Sequence, residues 1–469
     1  MQYYSTRGQD GPLGYQEALL SGLARDGGLY LPEAWPKFSH EDIAAMQGLS
    51  YAELAGRLMA PFCVGEIDEA ELTAMARDAY ADFDHPDIAL LKPLQGNLHV
   101  LELFHGPTIA FKDYAMQFLA RAFDRALKKK QQHAVIVGAT SGDTGSAALE
   151  AFKGRDAVDV FILFPEGRVS PVQQTQMTSV IADGAHAVSV AGDFDDCQAI
   201  VKALFNDLAF RDQVNLSAIN SINWARLMPQ IVYYFAAALR LGAPTQSVAF
   251  SVPTGNFGNV FAGYVAVQMG LPVDRLIIAS NQNDILPRFF ASGAMARESV
   301  VPSLSPSMDI QVSSNFERLL FELLDRDCQA TASVMRQFAE TGQFHVDDSV
   351  LARAKQLFSA YRLDDDGTIA EIAATAKNNH MVIDPHSAVG VYAARQAHGD
   401  GTVANEVPIV ALACAHPAKF GMAVTKATGV APGLPTHLAD LMQRPERQRH
   451  VAATADAVKS LVLEMKRVA

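Results

Sequence analysis

From about residue 97 the chain alternates between two hydrophobic rhythms. Short apolar runs at Leu98–Phe104, Ala134–Gly138, Val158–Phe164, His186–Val190 and Asn215–Ile219 predict strands. Between them the apolar spacing is helical. It is clearest over Asp113–Lys130, where Ala115, Phe118, Leu119, Ala122, Phe123 and Ala126 share one face. Further helices are predicted over Ser146–Lys153, Pro171–Ile181 and Phe194–Phe210. The same grammar then repeats as helix Trp224–Leu241 with a kink at Pro229, strand Val248–Val252, helix Asn259–Met269 and strand Leu276–Ser280. A less regular stretch, 285–380, includes helical patterns at Asn315–Asp325 and Asp347–Tyr361. Strand Met381–Ile383, helix His386–His398, strand Val407–Ala413 and helix Ala455–Val468 complete the pattern.

Strands alternating with helices of this size build βαβ units and parallel sheets buried on both faces. The pattern predicts an α/β fold with two parallel-sheet domains and a cleft between them. Residues 1–95, with helical patterns at Glu41–Met46, Tyr51–Met59 and Ile67–Phe83, predict a mainly helical cap. Residues 96–222 form the expected smaller α/β domain and 223–469 the larger one. Ligands of such sheets sit beyond the carboxyl ends of the strands, so the loops there are where chemistry is sought.

Composition narrows the function classes. A formal charge of −13, from 38 basic and 51 acidic residues, argues against nucleic acid or an anionic membrane as the main partner. The basic run Lys128-Lys129-Lys130 complements a helix C-terminus instead. No apolar run is long enough to span a bilayer, and the first residues lack the apolar core of a signal peptide. Four scattered cysteines, without a CxxC or Cys/His spacing, predict reduced thiols, no metal site and a cytoplasmic location.

Lys112 stands between Phe111 and Asp113 at the start of a predicted helix, just after the break at Gly106-Pro107. Desolvation and the positive end of the helix dipole both disfavour its ammonium form, and such an amine can form a Schiff base. The alternative is an ordinary lysine reaching solvent. Gly138–Ser146, between a strand and a helix, offers hydroxyls and backbone N–H groups for an anion, or else is a plain turn. It fits neither GxxxxGK[ST] nor GxGxxG. Pro253–Asn259, also between strand and helix, is a candidate phosphate cup or an Asn-Gly turn. Cys414, after the last long strand, reads as a small polar cofactor contact or a buried thiol. A lysine poised for a Schiff base, a phosphate cup without nucleotide signatures and a separate anion loop together imply pyridoxal phosphate.

Four segments then match a known pattern: His105-Gly106-Pro107-Thr108 continuing to Ala110-Phe111-Lys112-Asp113, Thr140–Gly145, Gly255–Asn259 and Ala415–Phe420. With Tyr4–Arg7, Gly22–Tyr30 and Pro306–Ile310, they resemble the threonine synthase family, in its bacterial and fungal branch. The resemblance implies a fold type II, tryptophan-synthase-β-like pyridoxal-phosphate enzyme. Such an enzyme converts O-phospho-L-homoserine and water to L-threonine and phosphate. It also implies Lys112 as the Schiff-base lysine, and Gly255, Asn256, Phe257, Gly258 and Asn259 as the cofactor-phosphate loop. Thr140, Ser141 and Thr144 would take the substrate carboxylate, and Asn220, Ser221 and Arg226 the substrate phosphate. Cys414 falls where relatives set a small polar residue against the pyridine nitrogen. Asp143, where the other branch has asparagine, falls beside the cofactor's 3-oxygen. There it is expected to be protonated, turned away or paired with a donor. A threonine or serine dehydratase shares the lysine and glycine loop and is the competing activity; a non-catalytic relative is the other alternative. A monomer or small homo-oligomer is expected.

Overall fold

The computed structural model describes residues 1–467. Two sheets organise it. The larger has six strands in the order Phe358–Arg362, Val273–Ser280, Val248–Pro253, Ile409–Ala413, Leu98–Glu102 and Leu90–Pro93. All its pairings are parallel except the last. The smaller sheet has five parallel strands in the order Arg449–Ala452, Ala185–Ala191, Val158–Pro165, Ala134–Ala139 and Leu216–Ser217. The central strands are buried along their length, as continuous apolar runs in parallel sheets require.

Neither sheet is drawn from one contiguous segment. Leu98–Glu102 lies in the six-stranded sheet, although the expected smaller unit begins at residue 96. Arg449–Ala452, from the far end of the chain, closes the edge of the five-stranded sheet. The N-terminal region is tied to the body at several points. Tyr3 and Phe62 pack on Trp224, with ring centroids 6.1 and 5.4 Å away, and Tyr3 donates to the Phe62 carbonyl. Arg318, wholly buried, donates to the carbonyls of Tyr30 and Ile222.

Several expected elements change on the structure. The helix expected over Asp347–Tyr361 ends at Leu357, and Phe358–Arg362 is an edge strand paired with Val273–Ser280. Phe358 already has extended dihedrals, and its ring packs against Phe290. The helix expected over Phe194–Phe210 breaks at Asp207, whose carboxylate caps a second helix, Leu208–Val214, by accepting from Phe210 N. The strand expected at Met381–Ile383 is irregular chain that pairs with no strand among the described residues, because a short apolar run does not by itself supply a sheet edge. Asn215–Ile219 pairs only over Leu216–Ser217. The kink at Pro229 is a turn of 3-10 helix, Met228–Gln230. The last helix runs Ala455–Met465, and its expected end at Val468 lies outside the described residues.

Candidate active site

Four loops leave the carboxyl ends of parallel strands. They carry Lys112, Asp143, the Gly255 turn and Cys414. The lysine loop is closed by its own neighbour. The Asp113 carboxylate accepts from Thr108 N at 2.8 Å and from Thr108 Oγ1 at 2.6 Å. Burial pushes that carboxyl up to about 6, although the Thr108 bonds favour its charged form. A Cβ on Gly106 would stand 2.5 Å from the Asp113 Cβ, so only glycine lets the loop turn there. Phe111 N donates to the Cys414 carbonyl and His416 N to the Ile109 carbonyl, which ties the lysine loop to the Cys414 loop.

Lys112 is the first residue of the helix Lys112–Lys130, so its amine sits at the positive end of that dipole. Burial lowers its affinity for a proton. Asp143 acts against that, while the charges of Arg226 and Lys419 act with it, and the result lies below the usual lysine value. Nζ lies 3.5 Å from Asp143 Oδ2 and 3.5 Å from Ser307 Oγ.

Asp143 opens the helix Asp143–Phe152 and is buried. Its Oδ1 accepts from Gln173 Nε2 at 2.7 Å and pairs with Lys419 Nζ at 2.9 Å. Burial alone would favour its neutral form, but Lys419 and Lys112 hold it far below the ordinary carboxylate range. Of the three expectations for Asp143, the structure selects pairing with donors. Thr140 Oγ1 accepts from Gly142 N and Gly145 N and so shapes this loop from within. Thr144 is half-buried and Ser141 exposed.

In the turn Gly255–Asn259 the first two carbonyls are taken up by neighbouring side chains and backbone. Ser313 Oγ donates to the Gly255 carbonyl at 2.6 Å, and Asn315 donates twice to that of Asn256. Among the described residues the N–H groups of Gly255, Asn256, Phe257, Gly258 and Asn259 have no hydrogen-bond partner. Phe257 adopts φ 64°, which turns the chain into the helix Gly258–Gln268. A Cβ on Gly255 would meet the Ser307 carbonyl at 2.9 Å and Met308 Cα at 3.1 Å. The Asn259 amide is oriented by Tyr233 and Tyr234, whose hydroxyls donate to Oδ1 at 2.6 and 2.9 Å. Its Nδ2 is buried without a partner. Free N–H groups at a helix N-terminus, an unpaired buried amide and a glycine cradle fit a phosphate.

Arg226 is buried and donates to the Ile219 carbonyl at 3.1 Å. Burial pushes the guanidinium down to about 10, and among the described residues no carboxylate offsets that effect. The turn bearing it is held by Asn223, whose amide donates to Leu19 in the N-terminal region. Tyr233 links the turn to Asn259 by way of Gln230. Ser221 abuts Gly258, its carbonyl 3.8 Å from where a Cβ there would be, and Asn220 is exposed beside it. Cys414 is buried, and burial raises its thiol well above the usual value, so it is neutral.

A different cavity, of about 500 Å³, lies at the opposite ends of the strands, between the N-terminal region and the C-terminal end of the Lys112 helix. It is lined by Asp10, Arg25, Tyr30, Lys130 and Arg211 and holds none of these loops.

Comparison with known proteins now decides the family. Residues 88–346 match the model for pyridoxal-phosphate dependent enzymes, residues 2–80 the threonine synthase N terminus and 387–462 the threonine synthase C-terminal region. The threonine synthase of Pseudomonas aeruginosa is 52% identical over 448 residues, 95% of each chain. The chain belongs to the threonine synthase family. A solved PLP-bound threonine synthase from Brucella melitensis superposes with a TM-score of 0.97 at 52% identity, covering 100% of both chains. The yeast threonine synthase gives 0.93 at 37% identity, covering 99% of this chain and 98% of its own. The family's fold type II architecture is the one described above.

Three residues of the cleft were not singled out from sequence: Lys419, Ser307 and Gln173. Lys419 and Ser307 lie inside segments that carried the family resemblance, and that was their only signal. Gln173 gave none, being one of several polar residues on the helix Pro171–Thr178.

Proposed function

We infer that the chain is a pyridoxal-phosphate enzyme that converts O-phospho-L-homoserine and water to L-threonine and inorganic phosphate. The observation that carries this reading is Arg226. It is a buried guanidinium without a carboxylate partner among the described residues, near enough to Lys112 to weaken that lysine's hold on its proton. A buried cation is costly unless something anionic meets it, and a forked guanidinium suits a phosphate dianion. The Gly255–Asn259 turn already offers its N–H groups to one phosphate, the cofactor's; Arg226, with Asn220 and Ser221, is proposed for the second, the substrate's.

Lys112 is proposed to carry the cofactor and, once freed by the substrate amine, to move the protons at Cα and Cβ. Burial, with the charges of Arg226 and Lys419, lowers its proton affinity below that of an ordinary lysine, which favours the free amine a base requires. The cofactor, when bound, supplies an electron sink for the charge that develops at Cα. Arg226 and Asn220 stabilise the departing phosphate at Cγ. Thr140, Ser141 and Thr144 orient the substrate carboxylate at the N-terminus of the helix Asp143–Phe152, where the dipole favours an anion. Cys414, as a neutral thiol, is proposed to face the pyridine nitrogen without protonating it.

The two sheets with their covering helices are proposed as two domains that meet at this cleft, under the N-terminal cap. A small-molecule substrate, a monomer or small homo-oligomer, and a cytoplasmic location consistent with four unpaired cysteines belong to the same proposal.

A dehydratase needs no second phosphate site, so Arg226 favours the synthase. Phosphate released from O-phospho-L-homoserine in step with threonine formation supports the reading. Keto acid released from threonine, with no phosphate release from O-phospho-L-homoserine, overturns it.

A further inference from the structure

We propose that Lys419 is a positioning residue that fixes Asp143 as a carboxylate with one oxygen saturated and the other turned to the Lys112 amine. The inference rests on Lys112 carrying the cofactor. Lys419 comes from the turn Pro417–Phe420, which follows strand Ile409–Ala413 of the six-stranded sheet, whereas Asp143 belongs to the five-stranded sheet's loop. Its side chain is fully buried. Nζ makes two contacts, to the Thr108 carbonyl at 2.8 Å and to Asp143 Oδ1 at 2.9 Å.

The two carboxylate oxygens of Asp143 are therefore not equivalent. Oδ1 takes Lys419 and Gln173, at 2.9 and 2.7 Å. Oδ2 keeps two looser neighbours, Lys112 Nζ and Ser307 Oγ, both at 3.5 Å. Gln173 is held in turn by Ser170, whose hydroxyl donates to its Oε1 at 2.9 Å, and it fits there because Gly142 lacks the Cβ that would stand 2.4 Å from its amide carbon. Ser307 is held from behind by His386 Nε2, which accepts from Ser307 N, while His386 Nδ1 bonds Asp384 at 2.6 Å. The result is a carboxylate clamped on one side and available on the other, aimed at the nitrogen whose protons matter.

This resolves the electrostatic difficulty of an anion near the cofactor's phenolic oxygen. Lys112 stops being the counter-charge of Asp143 whenever its linkage to the cofactor, or its freed amine, gives up a proton. Lys419, which takes no part in those changes, neutralises Asp143 throughout. The groups facing the Lys112 amine are Asp143, Arg226, Lys419 and the Cys414 thiol; Asp113 faces Lys419, and Asp384 stands behind Cys414 and His386.

The test is a pH titration of the visible absorbance of the holoenzyme, whose chromophore reports the protonation of the Lys112–cofactor linkage. Lys419→Met removes a cation and leaves Asp143 to Lys112 alone, so the linkage pKa rises by about one pH unit or more. Asp143→Asn lowers it by a similar amount. The double variant Asp143→Asn/Lys419→Met, which buries no lone charge, returns to within roughly half a unit of the parent value. If Lys419→Met does not fold, the Asp143→Asn and double variants still carry the comparison. Lys419 acting only as a latch between the loops would lower stability and leave the titration unmoved, which overturns the proposal. Borohydride reduction and peptide mapping of the same samples show where the cofactor sits. Cofactor on Lys112 with no shift sinks this inference alone, whereas cofactor elsewhere sinks the reading beneath it.

Discussion

Arg226→Met is expected to stabilise the ligand-free chain while removing most of its turnover. Burial takes the guanidinium from its ordinary value down to about 10, and a change of that size corresponds to roughly 3 kcal/mol against holding the charge in the fold. The folded value lies below the unfolded one, so the penalty is fully present at neutral pH and is relieved only as pH rises above about 10. Methionine also forfeits the guanidinium's bond to the Ile219 carbonyl, worth roughly 1.5–3 kcal/mol, so the net gain is at most about 1.5 kcal/mol. With 469 residues and an unfolding entropy of about 2 cal/mol/K per residue, the midpoint rises by at most about 1.5 °C. Two charge-assisted hydrogen bonds to a phosphate are worth roughly 1.5–3 kcal/mol each. Their loss lowers kcat/KM by about 10² to 10⁴. Calorimetric unfolding of the cofactor-loaded protein, whose Gly255–Asn259 turn is already filled, with and without inorganic phosphate reads both sides: phosphate raises the parent midpoint and leaves the variant unmoved. A variant that melts lower and turns over within about threefold of the parent would mean that Arg226 serves packing, and the argument from an uncompensated cation would be refuted.

Other substitutions probe the surrounding scaffold. Gly255→Ala forces a Cβ against Ser307 and Met308 backbone atoms, so the turn must shift at a cost of about 1–3 kcal/mol. Cofactor affinity, read by equilibrium dialysis, should fall at least tenfold, and unchanged affinity would contradict the cradle. His105 lies between Glu102 at 2.9 Å and Asp84 at 2.7 Å. Burial pulls its proton affinity down, but the two carboxylates outweigh burial and raise it above 6.5. The stability it contributes is therefore complete below 6.5 and is lost as pH rises through the raised value. Urea midpoints at about pH 6 and about pH 8 should differ less in His105→Gln than in the parent. An identical pH difference in both would count against the network.

The strands at Ala134, Val158, Val248 and Leu276 and the Lys112 helix were legible because burial on both faces of a parallel sheet leaves continuous apolar runs, and a helix packed on the body leaves apolar residues at helical spacing. Phe358–Arg362 and Arg449–Ala452 were not, because short edge strands are half-exposed and carry little pattern; what makes them strands is a partner far away in the chain. The Lys112 and Gly255 loops announced themselves through glycine, proline and position after a strand. Lys419 could not be separated from an ordinary surface lysine, since its burial depends on the Thr108 carbonyl, 311 residues away in sequence. Asp143 was visible as a residue but not as a charge state, which is set by Lys419, Lys112 and Gln173 from elements distant in sequence.

The central claim is that Lys112 carries the cofactor. Borohydride reduction of the holoenzyme followed by peptide mass mapping tests it most directly. A single reduced pyridoxyl adduct on the peptide containing Lys112, absent from a folded and inactive Lys112→Ala variant, is the predicted result. An adduct on Lys419 or any other lysine, or near-normal turnover by Lys112→Ala, would contradict it.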